Sequence, residues 1–309
     1  MSAAEDSRHP LLRAEIALPF LLVALIWGST WYAIKDQLAD APPSWSVTYR
    51  FAIASVGMFA LAAFGRRGFG LTRAGHWLAL AVGFTQFFLN YNLVYFAEIH
   101  LTSGVVAVLY GLLMLPNALL ARAFLGQPVT ARFLVGSLIG LAGIALLLVH
   151  EAREAPPTGM VGFGVLLTAV GLLAASAANV LQAAEAARKD SLVVLLAWAM
   201  LWGTVLDAAY AWLTVGPPVF PESARYWGGV AYLAILGSVV TFPLYFRLIR
   251  DLGPGRAAYN GVLVPVVAMG LSTLFEGYRW SALAAFGAVL ALAGMVVALR
   301  GRAAPPGRP

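Results

Sequence analysis

Apolar residues run along this chain in ten continuous blocks separated by short polar, proline- or glycine-containing stretches. The blocks predict helices over residues 15–36, 44–64, 74–97, 101–121, 131–149, 159–186, 191–215, 226–249, 256–275 and 281–300. A helix rises about 1.5 Å per residue, so blocks of roughly twenty residues match the hydrocarbon core of a bilayer. The runs are continuous rather than alternating with period two, which excludes an outer-membrane barrel. A chain in lipid must satisfy its backbone groups internally, and helices do so within each segment. The connections are short and hold no soluble domain.

The pattern also repeats. Tyr110 stands six residues before Pro116 as Tyr259 stands six before Pro265, and Gln127 and Glu276 each follow their proline by eleven. Both stretches run into a glycine-rich apolar segment, with Gly136 and Ala142-Gly143 answered by Gly287 and Ala293-Gly294. The matched segments are helices 4–5 and 9–10, so the unit is five helices. An odd unit repeated in tandem enters the membrane from opposite sides, so the halves are inverted, a frequent plan for secondary transporters with a site near the midplane. The expected fold is therefore an all-α membrane protein of ten transmembrane helices. A tail of 1–14 precedes a first repeat at 15–149; an external linker at 150–158 leads to a second repeat at 159–300 and a tail at 301–309.

Charge sets the orientation. Fifteen of the twenty Lys and Arg residues fall on one set of helix ends, four (Lys35, Arg153, Arg225, Arg279) on the other, and Arg50 lies within a helix. Cytoplasmic loops are enriched in Lys and Arg, so both termini are expected in the cytoplasm. The chain is 61% hydrophobic and 11% charged, too little charge to cover a soluble surface. The net charge of +6 is spread over loops and is explained by orientation, with no nucleic-acid partner. Absence of cysteine excludes disulfides and thiolate sites. Eighteen arginines against two lysines point to a high-GC bacterium and its inner membrane. No cleavable signal peptide is evident.

Trp27-Gly28-Ser29-Thr30-Trp31 in helix 1, Tyr49-Arg50-Phe51 in helix 2, the Pro116 and Pro265 segments, and Leu236–Ala258 together resemble the drug/metabolite transporter superfamily, specifically its ten-helix EamA-type exporters. Gln127 departs from that pattern, where the family usually has Glu. The run Asn90-Tyr91-Asn92-x-x-Tyr95-Phe96 is similar to the branch that exports aromatic and other neutral amino acids. The resemblance implies multi-pass export of small metabolites by alternating access. A multidrug or other metabolite exporter is the alternative, and a channel or membrane scaffold the alternative of another class.

Phe84, Phe88, Tyr91 and Tyr95 recur at helical spacing on helix 3, with Gln86 and Asn90 on an adjoining face. Amides are costly in hydrocarbon, so these should face protein or a wet cavity. An aromatic wall beside amides suits a solute with an apolar side chain and a zwitterionic end; packing between helices is the competing explanation. The substrate-binding candidates are Trp27, Trp31, Asn90, Tyr91, Tyr95, Tyr110, Asn179, Thr241 and Tyr259. Pro116, Pro265 and Arg50 are the gating or structural candidates. Tyr110 and Tyr259, as repeat equivalents, are expected on opposite sides of the midplane. Arg50 could snorkel outward, attract a carboxylate, or pair with Asp207. Asp207 and Glu98 are expected near solvated outer ends, and Glu276 as the cap of helix 9. Gly136-x-x-x-Gly140 permits close approach of another helix, within the chain or in a homodimer.

No metal or cofactor is implied: His9, His76, His100 and His150 are scattered, and no P-loop is present. An enzyme is disfavoured because nucleophile, metal ligands and paired acids are all missing. The small multidrug exporters of the same superfamily use a helix-1 glutamate for proton exchange, and no carboxylate lies between Glu15 and Asp36 here. Facilitated export down the solute's own gradient is the expected mechanism, with the bilayer and an amino-acid-like solute as partners.

Overall fold

The computed structural model describes residues 14–154, 160–183, 189–252 and 260–300. Ten helical segments follow the apolar blocks: α1 (Ala14–Gln37), α2 (Pro43–Phe64), α3 (Arg73–His100), α4 (Ser103–Leu125, interrupted at 112–113), α5 (Ala131–Glu154), α6 (Val161–Ala183), α7 (Leu192–Thr214), α8 (Ala224–Leu252), α9 (Asn260–Phe275) and α10 (Ala282–Arg300). Eight are long and apolar enough to span a membrane, and α9 and α10 add two shorter apolar helices. Large apolar side chains such as Leu18, Val56, Phe124, Leu138 and Phe286 point outward, as lipid rather than water would allow.

The packing maps onto itself when each helix is exchanged for the one five further along. α2 packs on α7, α4 on α9 and α5 on α10; α1–α9 answers α6–α4, α1–α8 answers α6–α3, and α3–α7 answers α8–α2. Five being odd, the exchange is an inversion. The symmetry extends to irregular backbone: α3 is π-helical over Gly83–Asn90 and α8 over Ile235–Val240. A π-turn takes an extra residue and leaves carbonyls without their usual partner. Side chains take up several of these. Ser238 Oγ donates to Leu233 O, five residues back, and Thr241 Oγ1 to Gly237 O. Asn92 Nδ2 likewise donates to Phe88 O.

α5 and α10 form the closest pair because glycine lines their seam. An ideal Cβ on Gly143 would meet the Ala291 backbone nitrogen, and one on Gly136 the backbone of Ala298. The Gly136-x-x-x-Gly140 stripe is therefore spent on a contact within the chain. In α4 the interruption lies four residues before Pro116, where the proline ring would clash with a helical carbonyl. Its counterpart Pro265 sits inside an unbroken helix.

Candidate functional site

A cavity of about 140 Å³ lies between the halves, far above the 10–15 Å³ that admits one water. Its wall comes from α1, α3, α4, α6, α8 and α9, three pairs of repeat-equivalent helices. The rings are Trp27, Trp31, Tyr91, Tyr110, Phe242, Tyr245 and Phe246; the amides are Gln86, Asn90, Asn117, Asn179 and Asn260. Among the described residues, no carboxylate, imidazole, ammonium or guanidinium is part of the wall. Tyr110 donates to Asn90 Oδ1 at 2.5 Å and its ring lies 5.0 Å from that of Trp31. The hydroxyl fits because α6 carries Gly171 opposite, where a Cβ would come within 2.7 Å. Asn179 Nδ2 donates to Asn117 Oδ1 at 3.3 Å. By the arginine asymmetry, Asn179 and Asn260 are near the cytoplasmic ends of their helices, so the cavity extends toward that side.

The outer side is closed. The α3–α4 turn is held by three charged side chains, two from other helices and one from just beyond a third. Lys35 of α1 donates to Glu98 O and, at 3.0 Å, to Leu101 O, the carbonyl end of α3. Glu151 of α5 accepts from Thr102 N at 2.9 Å. Glu276, just after α9, accepts from the backbone N and the hydroxyl of Ser103, the first residue of α4. A cation at a helix C-terminus and anions at an N-terminus each complement the helix dipole and satisfy end groups that lack partners. Nearby, burial pushes the Tyr278 phenol above its ordinary value, with Glu151 and Glu154 adding to the shift. It therefore stays neutral and packs edge-on against His150 and Trp280.

The EamA-like transporter family matches residues 15–149 and again residues 162–300. The chain belongs to that family. Protein PagO of Salmonella typhimurium is 20% identical over 87% of this chain and 88% of its own length. The uncharacterized inner membrane transporter YedA of Escherichia coli K12 is 29% identical over 82% of this chain and 80% of its own. Protein PecM of Dickeya dadantii is 24% identical over 88% of each. A solved crystal structure covers 93% of this chain and 96% of its own with a TM-score of 0.70 at 20% identity, which shows the shared fold. This is a bacterial inner-membrane, multi-pass transporter of a small molecule.

Six of the nine substrate-binding candidates, Trp27, Trp31, Asn90, Tyr91, Tyr110 and Asn179, lie on the cavity wall of this EamA-like transporter, as does Pro265. Tyr95 and Thr241 do not. Tyr95 is fully buried and its hydroxyl donates to Gln37 Oε1, while Thr241 is closed onto Gly237 O. Tyr259 lies outside the described residues. The π-segment explains the aromatic stripe's failure: the extra residue per turn rotates the faces before and after it. Phe84 is thus 44% exposed and Phe88 packs against Tyr210 of α7, whereas Tyr91 reaches the cavity. Pro116 marks the α4 kink but is not on the wall. Gln86, Phe242, Phe246 and Gly171 carry no repeat signal and become part of the site, or its support, only through packing.

The ionisable groups within the spans also differ from expectation. Glu98 and Asp207 are buried, not solvated. Asp207 Oδ1 accepts from Asn92 Nδ2 at 2.6 Å, so its partner is an α3 amide rather than Arg50. Glu276 joins α9 to α4 instead of only capping its own helix, though it also accepts from Ser272 Oγ. Arg50 is 1% exposed and does not snorkel. Among the described residues, no group of three or more His, Cys, Asp or Glu side chains is placed to hold a metal ion.

Proposed function

We propose that this protein exports aromatic and other neutral amino acids through the central cavity by alternating access, without obligatory proton exchange. The observation that carries this is the composition of the wall. Among the described residues of the wall, seven rings offer stacking and apolar contact to a large side chain, five amides offer donors and acceptors to a zwitterionic end, and none carries a fixed charge. A cationic drug would gain no counter-charge there and would lose its hydration. The inverted halves supply two related arrangements of one site, the basis of alternating access, and the clamped α3–α4 turn fits an inward-facing state. The test is efflux of labelled L-phenylalanine from proteoliposomes with and without an imposed pH gradient. Export at comparable rates in both conditions is expected; strict dependence on the gradient would overturn the facilitated mechanism.

A further inference from the structure

Among the described residues, Arg50 is the one guanidinium enclosed between the two π-segments, and it is poorly satisfied there. Its Nε donates to Ser238 Oγ at 3.3 Å, within the α8 π-segment. Its Nη2 donates to the Tyr91 hydroxyl at 3.4 Å, directly after the α3 π-segment. Both distances are long for hydrogen bonds of a charged donor. Nη1 has no hydrogen-bond partner among the described residues, although a guanidinium carries five N–H donors. Cζ lies 4.4 Å from the Tyr91 ring centroid and 5.2 Å from that of Phe51, and the Tyr95 phenol and the buried Glu98 carboxylate lie within its electrostatic reach.

A buried cation is costly unless it is closely paired and hydrogen-bonded, and an ionisable side chain within a membrane span is by default a functional-site candidate. Arg50 stands one side chain away from the cavity. Tyr91 is part of the wall, and so is Thr30. Gly237, next to Ser238, leaves the gap: an ideal Cβ there would sit 2.9 Å from the Thr30 methyl and 3.5 Å from Arg50 Nη2. Trp27, also on the wall, donates to Gly237 O at 3.3 Å. A modest turn of Tyr91 would thus present Nη2 of the guanidinium to the cavity.

We propose that Arg50 is the anchor for a carboxylate group of the transported solute, with Tyr91 covering it in the empty, inward-facing state. Arginine suits this task because its planar fork binds a carboxylate through two parallel hydrogen bonds. The cavity wall then selects the apolar side chain and Arg50 selects the acid, so uncharged and cationic analogues of equal shape bind weakly. The assignment rests on the central cavity being the solute site.

Binding of 3-phenylpropionate and of the isosteric alcohol 3-phenylpropanol, read from tryptophan fluorescence of the purified full chain, tests this apart from transport. Wild-type protein is expected to bind the acid at least tenfold tighter than the alcohol, and Arg50→Gln to bind the two equally with the alcohol unchanged. Equal binding of acid and alcohol by wild type, or an acid preference that survives in folded Arg50→Gln, overturns the assignment. Should Arg50→Gln not fold, Tyr91→Phe serves instead. It frees Nη2 of its hydroxyl partner and should raise the ratio of acid to alcohol affinity about threefold, and an unchanged or lowered ratio overturns the proposal. Wild type that prefers the acid yet moves no amino acid would remove the proposed function and leave Arg50 as a carboxylate site.

Discussion

Replacing Glu276 with Gln should loosen the outer closure by a predictable amount. Glu276 joins α9 to α4 through two groups of Ser103, its backbone N and its hydroxyl, while its contact with Ser272 stays on the α9 side and survives opening. A glutamine keeps one oxygen acceptor and loses the charge, so one charge-assisted bond across the closure is lost. Such a bond contributes about 1.5–3 kcal/mol net, and the half-buried position of Glu276 argues for the lower figure, about 1.5 kcal/mol. Since about 1.4 kcal/mol is tenfold in an equilibrium, the outward-facing population should rise about tenfold. The chain has no cysteine, so a single Ile34→Cys on the cavity wall reports access without background. In right-side-out vesicles its labelling rate by a membrane-impermeant thiol reagent should rise about tenfold in the Glu276→Gln background. An unchanged rate in folded protein would refute the clamp as an energetic closure.

Three further outcomes follow from close contacts. Gly143→Ala sets a methyl against the Ala291 backbone, which cannot move aside as a side chain can, and should cost about 1–3 kcal/mol of stability. Gly270→Ala, with nothing within 4 Å, should leave the melting temperature unchanged or higher, and the two are compared by thermal unfolding in detergent. Gly171→Ala displaces the Tyr110 hydroxyl from Asn90 and removes one hydrogen bond of about 1 kcal/mol, so transport should weaken about fivefold with little loss of thermal stability. Asp207→Ala should destabilise by about 1–3 kcal/mol because the buried Asn92 amide loses a partner, whereas Asp207→Asn keeps an acceptor and should be close to neutral.

The helices and the repeat were legible because hydropathy and spacing are local in sequence. The ends of α1, α2 and α7 fall within a residue of those predicted, since lipid thickness fixes them. The π-segments were not legible: nothing in Gly83–Asn90 or Ile235–Val240 marks an extra residue per turn, so an ideal helical period carried Phe84 and Phe88 onto the wrong face, while Tyr95, in regular helix beyond the π-segment, is taken up by Gln37. The charges were misjudged for a different reason. Glu98, Asp207 and Glu276 lie near helix ends, where solvation is the simplest expectation, but Asp207 and Glu276 hydrogen-bond to α3 and α4 residues 115 and 173 positions away, and Glu98 is fully buried. Only packing reveals that the outer ends are crowded. Six binding candidates nevertheless reached the wall, because an aromatic or amide in the middle of an apolar block has few places to go except the interior between the halves.

The central claim is that one cavity of rings and amides carries neutral amino acids across the membrane, and counterflow tests it most directly. Proteoliposomes preloaded with an unlabelled solute are diluted into trace labelled L-phenylalanine. Transient accumulation driven by phenylalanine, tryptophan or leucine, but not by glutamate, arginine or a cationic dye, is the predicted result. Accumulation driven by the dye, with phenylalanine inert in either compartment, would contradict it.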